Sequence, residues 1–323
     1  MMSQRDVSAS KSQPLSAGVV FLRSGALSVL VLLLASHAFA EFTTVLNVPP
    51  DPAPDQIGSD TQLNLFEGGA LPDLFHAGAP DGSSSNVQVN IIGGSVGKGF
   101  GASRGSTVNI SGGSVGDGMF ADNSTIVLTG GSVGYRFTVS YSGVTISGGS
   151  VGDLFRVWWG SNVNITGGLF GDFFTASRGS GVTISGGSID DRFTAGGASF
   201  VTISGGTFGD SFGAYRSSEI SLFGREFFLD GLPLEELTHP GDSLILESRD
   251  GRQLSGTFLD GNSFEFDLNE SATGTEDYFD PEATLRLTLA VPEPAALPLM
   301  AFTTMCARVV AVRRASSRRA LLD

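Results

Sequence analysis

A pair of adjacent glycines recurs along most of the chain at an interval of 18 or 19 residues. Its seven regular copies begin at Gly93, Gly112, Gly130, Gly148, Gly167, Gly186 and Gly205. A fixed period of this length is typical of a solenoid, in which each repeat forms one coil that stacks on its neighbours. An imperfect copy begins at Gly68, and a degenerate last copy runs from Ile220 to Phe228. The repeat therefore restricts the fold strongly, although it does not name a function.

Within each repeat the apolar residues alternate as they do in a strand with one buried face. Counted from the first glycine as zero, apolar side chains occupy positions −4, −2, +3 and +7, and small ones occupy +9. Position +7 is the most regular and holds Phe100, Met119, Phe137, Phe155, Phe174, Phe193 and Phe212. No helical period is present. We therefore predict an all-β parallel β-helix, or β-solenoid, of about eight coils, with equivalent residues ~4.8 Å apart.

The coils are predicted to occupy residues 61–228, and the period is lost in residues 229–290. In that second segment two Asp-Gly turns, at Asp250 and Asp260, separate runs that are typical of strands. We expect a small antiparallel β cap here, with Thr284 to Leu289 as its last strand. Such a cap would cover the open edge of the solenoid.

The first forty residues have the three parts of a secretory signal peptide. Basic residues precede an apolar run from Ala26 to Ala35, and Ala38 and Ala40 form a small-x-small cleavage site around Phe39. The alternative is a membrane anchor, which the shortness of the apolar run disfavours. We therefore predict export, a signal peptide over residues 1–40 and a linker over residues 41–60.

The last segment, residues 291–323, is a second candidate targeting signal. Pro292, Glu293 and Pro294 precede an apolar stretch, and Arg313 and Arg314 follow it. This order resembles the PEP-CTERM sorting signal of exported bacterial proteins. The resemblance implies recognition by a membrane-bound exosortase, transient membrane anchoring and delivery to the cell surface or extracellular matrix. A plain single-span anchor is the alternative, and its charge orientation is equally suitable.

Charge is concentrated between the two end segments. Residues 41–290 contain 11 Lys and Arg against 30 Asp and Glu, a net charge near −19. Nucleic acid is therefore excluded as an expected partner, since binding would require neutralisation of its phosphates. Divalent cations or basic surfaces suit this charge, and solubility outside the cell is the simpler explanation.

A column of aspartates stands at position +5 of the repeat. Its consecutive members are Asp153, Asp172, Asp191 and Asp210. Stacked carboxylates repel one another unless ions or donors lie between them. Because calcium favours clustered oxygen ligands, one interpretation is a calcium ladder along these aspartates. The favoured interpretation is that each aspartate accepts backbone hydrogen bonds at a glycine corner, and no cofactor is expected.

An aromatic column stands at position +11. Tyr141, Trp159 and Arg178 occupy it on successive coils, and Trp158 adjoins it. Exposed aromatic rings beside arginine are able to stack on sugars or to pack on a partner surface. These four residues are the candidate ligand site, with extracellular polysaccharide as the candidate partner. The alternative is that the rings cover an apolar seam of the solenoid.

Signals for catalysis are weak. The chain has three histidines, and no nucleophile elbow, phosphate loop or metal-ligand motif is evident. A β-helix polysaccharide lyase or hydrolase would need an acidic cluster near a base, such as Asp153, Asp172 and Asp191 with Arg156 or Arg192. The uniform repeats leave no irregular loop for such a pocket. The favoured function is a non-enzymatic structural or adhesive protein; a polysaccharide-binding module is second and an enzyme third.

Overall fold

The computed structural model describes residues 42–271 and 276–290, and these residues are all-β with no helix. They form a parallel β-solenoid of about nine turns, which confirms the predicted fold class. Among the residues in these two ranges, no helix is long enough and apolar enough to span a membrane. The two predicted targeting segments, residues 1–40 and 291–323, lie outside the described residues.

The coils stack into three parallel ladders, which we name the long, short and third ladders. The strands of the long ladder are Thr44–Val48, Thr61–Leu65, Val87–Ile91, Ser106–Ile110, Thr125–Leu128, Gly143–Ile146, Asn162–Ile165, Gly181–Ile189, Phe200–Phe208, Glu219–Leu229 and Thr284–Leu289.

The short ladder follows the glycine pairs. Its strands are Ala70–Leu71, Ser95–Val96, Ser114–Val115, Ser132–Val133, Ser150–Val151 and Leu169–Phe170, and it continues in the ends of Gly181–Ile189 and Phe200–Phe208. The third ladder comprises Gln56–Ile57, His76–Ala77, Gly101–Ala102, Phe120–Asp122, Thr138–Ser140, Arg156–Trp158, Thr175–Ala176, Thr194–Ala195, Gly213–Ala214 and Tyr278–Phe279.

The core of the solenoid is a stack of aromatic rings between these ladders. The aromatic side chains at position +7 are at most 1% exposed. Ring centroids of Phe155 and Phe174 are 4.7 Å apart, and those of Phe174 and Phe193 are 5.0 Å apart. The apolar columns at −4, −2 and +9 are also buried, as predicted. Burial of this apolar surface is the main stabilising contribution to a chain whose described part has no disulfide.

The glycine pair is required by the close approach of one coil to the next. Gly113 has a φ of +68°, and a Cβ there would lie 2.6 Å from the carbonyl oxygens of Gly93 and Gly94. No side chain fits at that distance, and the left-handed backbone independently favours glycine. The corner therefore explains why the pair recurs in every regular coil.

The solenoid begins earlier than the repeat predicts. Thr44–Val48 pairs in parallel with Thr61–Leu65, and Gln56–Ile57 pairs in parallel with His76–Ala77. These strands lie within the segment that the sequence assigned to a linker. The repeat template misses them because Pro49 stands at the turn in place of a glycine pair.

The expected antiparallel cap is present after the last regular coil. Glu219–Leu229 pairs in its second half with Arg252–Phe258, which pairs in turn with Ser263–Leu268. Leu259 N donates to Ser204 O, and Gly206 N donates to the Asp260 carboxylate, so the cap turn is bonded to the glycine corner of the coil beneath it.

The last predicted strand of this cap is shared with the solenoid. Thr284–Leu289 pairs antiparallel with Ser243–Ile245, as expected of a cap strand. Its other edge pairs in parallel with the first half of Glu219–Leu229, as the last parallel strand of the long ladder. Buried Leu285 and Leu287 align with buried Ile220 and Leu222, so their alternation continues the solenoid core. Since Tyr278–Phe279 likewise extends the third ladder, the intervening chain is an insertion within the last coil.

Candidate functional site

The aspartate column is built from backbone contacts between coils. Asp153 Oδ1 accepts the N–H of Asp172 at 3.1 Å, and Asp172 Oδ1 accepts that of Asp191 at 3.2 Å. Asp191 Oδ1 accepts the N–H of Asp210 at 2.9 Å. The same bond recurs from Asp73 and Asp117 in earlier coils. Each carboxylate thus satisfies a donor that the corner would otherwise leave unpaired.

The glycines that precede Asp172 and Asp210 are explained by the same contact. A Cβ at Gly171 would lie 2.2 Å from Asp153 Oδ1, and one at Gly209 would lie 2.3 Å from Asp191 Oδ1. The Gly-Asp dipeptide therefore works across coils, because the glycine leaves room for the aspartate of the coil beneath. The residue after each aspartate is left-handed, with φ values of 59° at Leu154 and 62° at Phe173.

A different aspartate accepts two other backbone donors at the end of the column. Asp277, from the returning chain, accepts the N–H of Phe212 at 2.7 Å and that of Asp267 at 3.1 Å. Burial raises the pKa of this carboxyl to about 6, and the nearby Asp267 and Asp210 charges add to the shift. Asp277 lies outside the periodic block, so the repeat carries no signal for it.

The column brings together the aspartates for which calcium was predicted. Among residues 42–271 and 276–290, no group of three or more His, Cys, Asp or Glu side chains is arranged to hold a metal ion. The favoured interpretation, that these aspartates accept backbone hydrogen bonds at the corner, is confirmed. The calcium interpretation stays a hypothesis. The arginines considered for catalysis do not pair with this column in the described chain; Arg192 lies 4.8 Å from the Phe173 ring centroid and Arg156 lies against Trp158.

The second predicted site is assembled in the structure. We define the aromatic–arginine cluster as Tyr141, Arg156, Trp158, Trp159 and Arg178. The rings of Tyr141 and Trp159 are stacked at 6.4 Å with a 20° interplanar angle. The Arg178 guanidinium lies 4.4 Å from the Trp159 ring centroid and 4.9 Å from that of Trp158.

Three residues of this cluster lie at corners where the backbone is left-handed. Tyr141, Trp159 and Arg178 all have positive φ, at 51°, 54° and 58°. Such a conformation costs a side-chain-bearing residue about 1–2 kcal/mol and is enriched at functional positions. The rows of the third ladder stack Tyr141, Trp159 and Arg178 on consecutive coils, so the column seen in the sequence is also a column in space.

The cluster exposes rings while retaining a fixed charge. Tyr141 is 61% exposed and Trp159 is 42% exposed. Trp158 is half-buried, and its Nε1 is a buried donor without a partner in the described part of the chain. Arginine beside tryptophan contributes a cation–π attraction of about 0.5–2 kcal/mol. The arrangement offers exposed aromatic rings beside a positive charge, which is chemically suited to sugar rings or to an acidic partner.

Sequence reasoning identified four members of this cluster and assigned Arg156 to a possible catalytic role instead. Its position two residues before Trp158 on one strand places both on the same face, a signal that was available.

Comparison with models of protein families, with curated proteins and with solved structures finds no match to this chain.

Proposed function

We propose that the protein is an exported, non-enzymatic component of the bacterial cell surface or extracellular matrix, with a structural or adhesive role. The observation that supports this proposal most is the uniformity of the coils. From Val87–Ile91 to Gly213–Ala214, each coil repeats similar strands and corners with no inserted loop, and its buried +7 side chain is a phenylalanine in every coil but that of Met119. A catalytic pocket on such a fold needs an irregular loop of this kind, whereas a rod needs regularity.

The proposed mechanism is mechanical and multivalent. Stacked coils present equivalent groups at intervals of ~4.8 Å along one axis. Many weak contacts along a rigid rod reinforce one another, so adhesion does not require a strong single site. The acidic body keeps copies apart in solution until a surface or polymer gathers them.

Location is proposed from the two end segments. The signal peptide would direct the chain to the export machinery, and the segment containing Pro292, Glu293 and Pro294 would be recognised by an exosortase. The Arg313-Arg314 pair would hold the transient anchor until processing.

Fractionation of producing cells tests this location with an antibody raised against the solenoid. We expect the signal at the cell surface or in the matrix. Replacing Glu293 by Ala should retain the protein in the membrane fraction, whereas the matched control Pro298→Ala should not. A signal confined to the cytoplasm would overturn the proposal.

A second candidate function is polysaccharide binding through the aromatic–arginine cluster, favoured by its exposed, ordered rings. On a glycan array, Trp159→Ala should abolish binding that the unchanged chain shows. Tyr215→Ala removes another exposed corner ring, 44% exposed, and is the matched control. Equal binding by both variants would count against the cluster as the platform.

A further inference from the structure

The outer face of the long ladder carries no charge over most of its length. From Thr44–Val48 through Phe200–Phe208, its strands contain no Asp, Glu, Lys or Arg. The first charges appear only in the last two strands, where Arg286 lies 3.7 Å from Glu219. Because residues 41–290 carry a net charge near −19, an uncharged face on this body favours a neutral ligand over an anionic one. It repels neither neutral polymers nor other neutral surfaces.

The amino-terminal half of this face is closed to ligands by its own hydrogen bonds. The Asn64 amide donates to Asn47, Asn90 to Asn64 and Asn109 to Asn90, at distances of 2.8–2.9 Å. Each side chain in this ladder satisfies the next across one coil. The ladder ends where Val127 replaces asparagine.

The carboxyl-terminal half of the same face is open. Gly143 and Gly181 flank Asn162 on adjacent strands, so a groove of about 450 Å³ forms where side chains are missing. Thr145, Asn164, Thr183 and Thr202 are among its other lining residues. In the described chain the side chains of Asn162 and Asn164 make no hydrogen bond, in contrast to the amino-terminal asparagine ladder.

An aromatic ring closes one end of this groove. Phe200 aligns with Gly181 on the adjoining strand and is 58% exposed. An exposed phenylalanine beside unpaired amides combines a stacking surface with hydrogen-bond donors and acceptors. The groove crosses the strands Thr125–Leu128 to Phe200–Phe208, which corresponds to about 19 Å at ~4.8 Å per coil.

We propose that this groove binds a neutral polysaccharide lying along the solenoid axis. Several linked sugar rings fit its length, Phe200 stacks on one ring, and Asn162 and Asn164 bond to hydroxyls. An anionic polymer finds no cation in the lining and meets an acidic body. The inference extends the proposed matrix role by naming a ligand class, and it uses a face separate from the aromatic–arginine cluster.

Calorimetry with the full-length chain tests the groove, using glucose and mannose oligosaccharides as neutral probes and oligogalacturonate as the anionic one. We expect at least one neutral probe to bind and the anionic probe not to bind. Phe200→Ala should weaken that binding at least tenfold. Gly143→Gln should abolish it, because Gly143 has open space around a new Cβ and the side chain would fill the groove.

Gly143→Gln is expected to fold, since glutamine already occupies this row at Gln62 and Gln88. Thr107→Gln lies in the same row outside the groove and is the matched control that should bind normally. No neutral binding, preference for the anionic probe, or equal binding by Gly143→Gln would overturn the proposal. Loss of self-association in Phe200→Ala, without glycan binding, would assign the face to a second copy instead. A surface signal in fractionation would leave the matrix role standing in either case.

Discussion

The regular coils and the closing region achieve similar burial by different means. In the coils from Gly93 to Ala214, a residue's role follows from its column, and neighbouring coils repeat it. In the closing region, from Glu219 onward, single residues carry roles that no other residue repeats. Arg249, Asp260 and Asp277 each bond one part of the insertion to the solenoid. The difference indicates that many equivalent residues share the stabilisation of the coils, whereas a few single residues stabilise the closing region.

The largest effect is expected when one ring is removed from the core of the regular coils. Phe174 is fully buried and its centroid lies 4.7–5.7 Å from those of Phe155, Phe193 and Phe170. Phe174→Ala should lower the free energy of unfolding by about 3–5 kcal/mol, as measured by urea denaturation. Phe120→Ala, at an exposed outward position, is the control and should change it by less than about 0.5 kcal/mol. Similar values for both variants would show that the ring stack does not stabilise the coils.

The next largest effect is expected for Arg249, a single residue that stabilises the closing region. Arg249 is 4% exposed and donates to the carbonyl oxygens of Leu246, Asp280 and Ala283 at 2.7–2.8 Å. Burial lowers its pKa, although Glu270 and Asp280 favour the charged form. Arg249→Met should cost about 2–4 kcal/mol, because three buried carbonyls lose a charged donor.

Arg252→Met is the matched control for Arg249→Met. Arg252 forms an ion pair with Asp230 at 2.7 Å, but both side chains are partly exposed. Its removal should therefore cost at most about 1 kcal/mol. If Arg249→Met lowered the free energy of unfolding as little as Arg252→Met, the closing region would not depend on single residues. The contrast between the two regions would then be wrong.

A third test uses pH to examine Asp277, which faces Asp210 and Asp267 and shares a cavity lining with Glu265 and Glu276. Its folded pKa of about 6 exceeds the ordinary value of 3.8, so the folded state binds its proton more tightly. The stabilisation is thus present below pH 3.8 and is lost as pH rises to about 6.

The difference in unfolding free energy between the unchanged chain and Asp277→Asn should therefore fall over this pH range. We expect a decrease on the order of 1–2 kcal/mol, discounted for partial exposure, and no further change above pH 7. Asp267→Asn, measured in parallel, reports how much the neighbouring charge contributes. A difference that stays flat from pH 4 to 7 would contradict the shifted pKa.

Much of the coil architecture could be predicted because its determinants recur. The columns of valine, isoleucine and phenylalanine indicated strands, buried faces and stacking, and the structure confirms them. The pairing of Thr284–Leu289 could not be predicted in the same way. Its alternation is compatible with a meander and with a ladder, and the structure shows both pairings, antiparallel with Ser243–Ile245 and parallel with Glu219–Leu229.

The candidate sites show the same limit. Tyr141, Trp159 and Arg178 share a repeat position, so their proximity followed from the period. The groove was missed because its signal is a loss of side chains, at Gly143 and Gly181, in an outward column that has no fixed residue. Asp277 was missed because it reaches the acidic column from outside the repeat.

The smallest expected effects concern the aspartate column itself. Asp172→Asn keeps an oxygen that is able to accept the N–H of Asp191, so it should change the unfolding free energy by at most about 1 kcal/mol. Thermal unfolding with calcium and with a chelator should then give the same melting temperature for the unchanged chain. A calcium ladder would instead raise the melting temperature by mass action, and Asp172→Asn would remove that rise. That outcome would give the coils a second, ionic stabilisation beside the ring stack. Equal melting temperatures would leave the column as a row of corner acceptors, whose role Asp277 continues in the closing region.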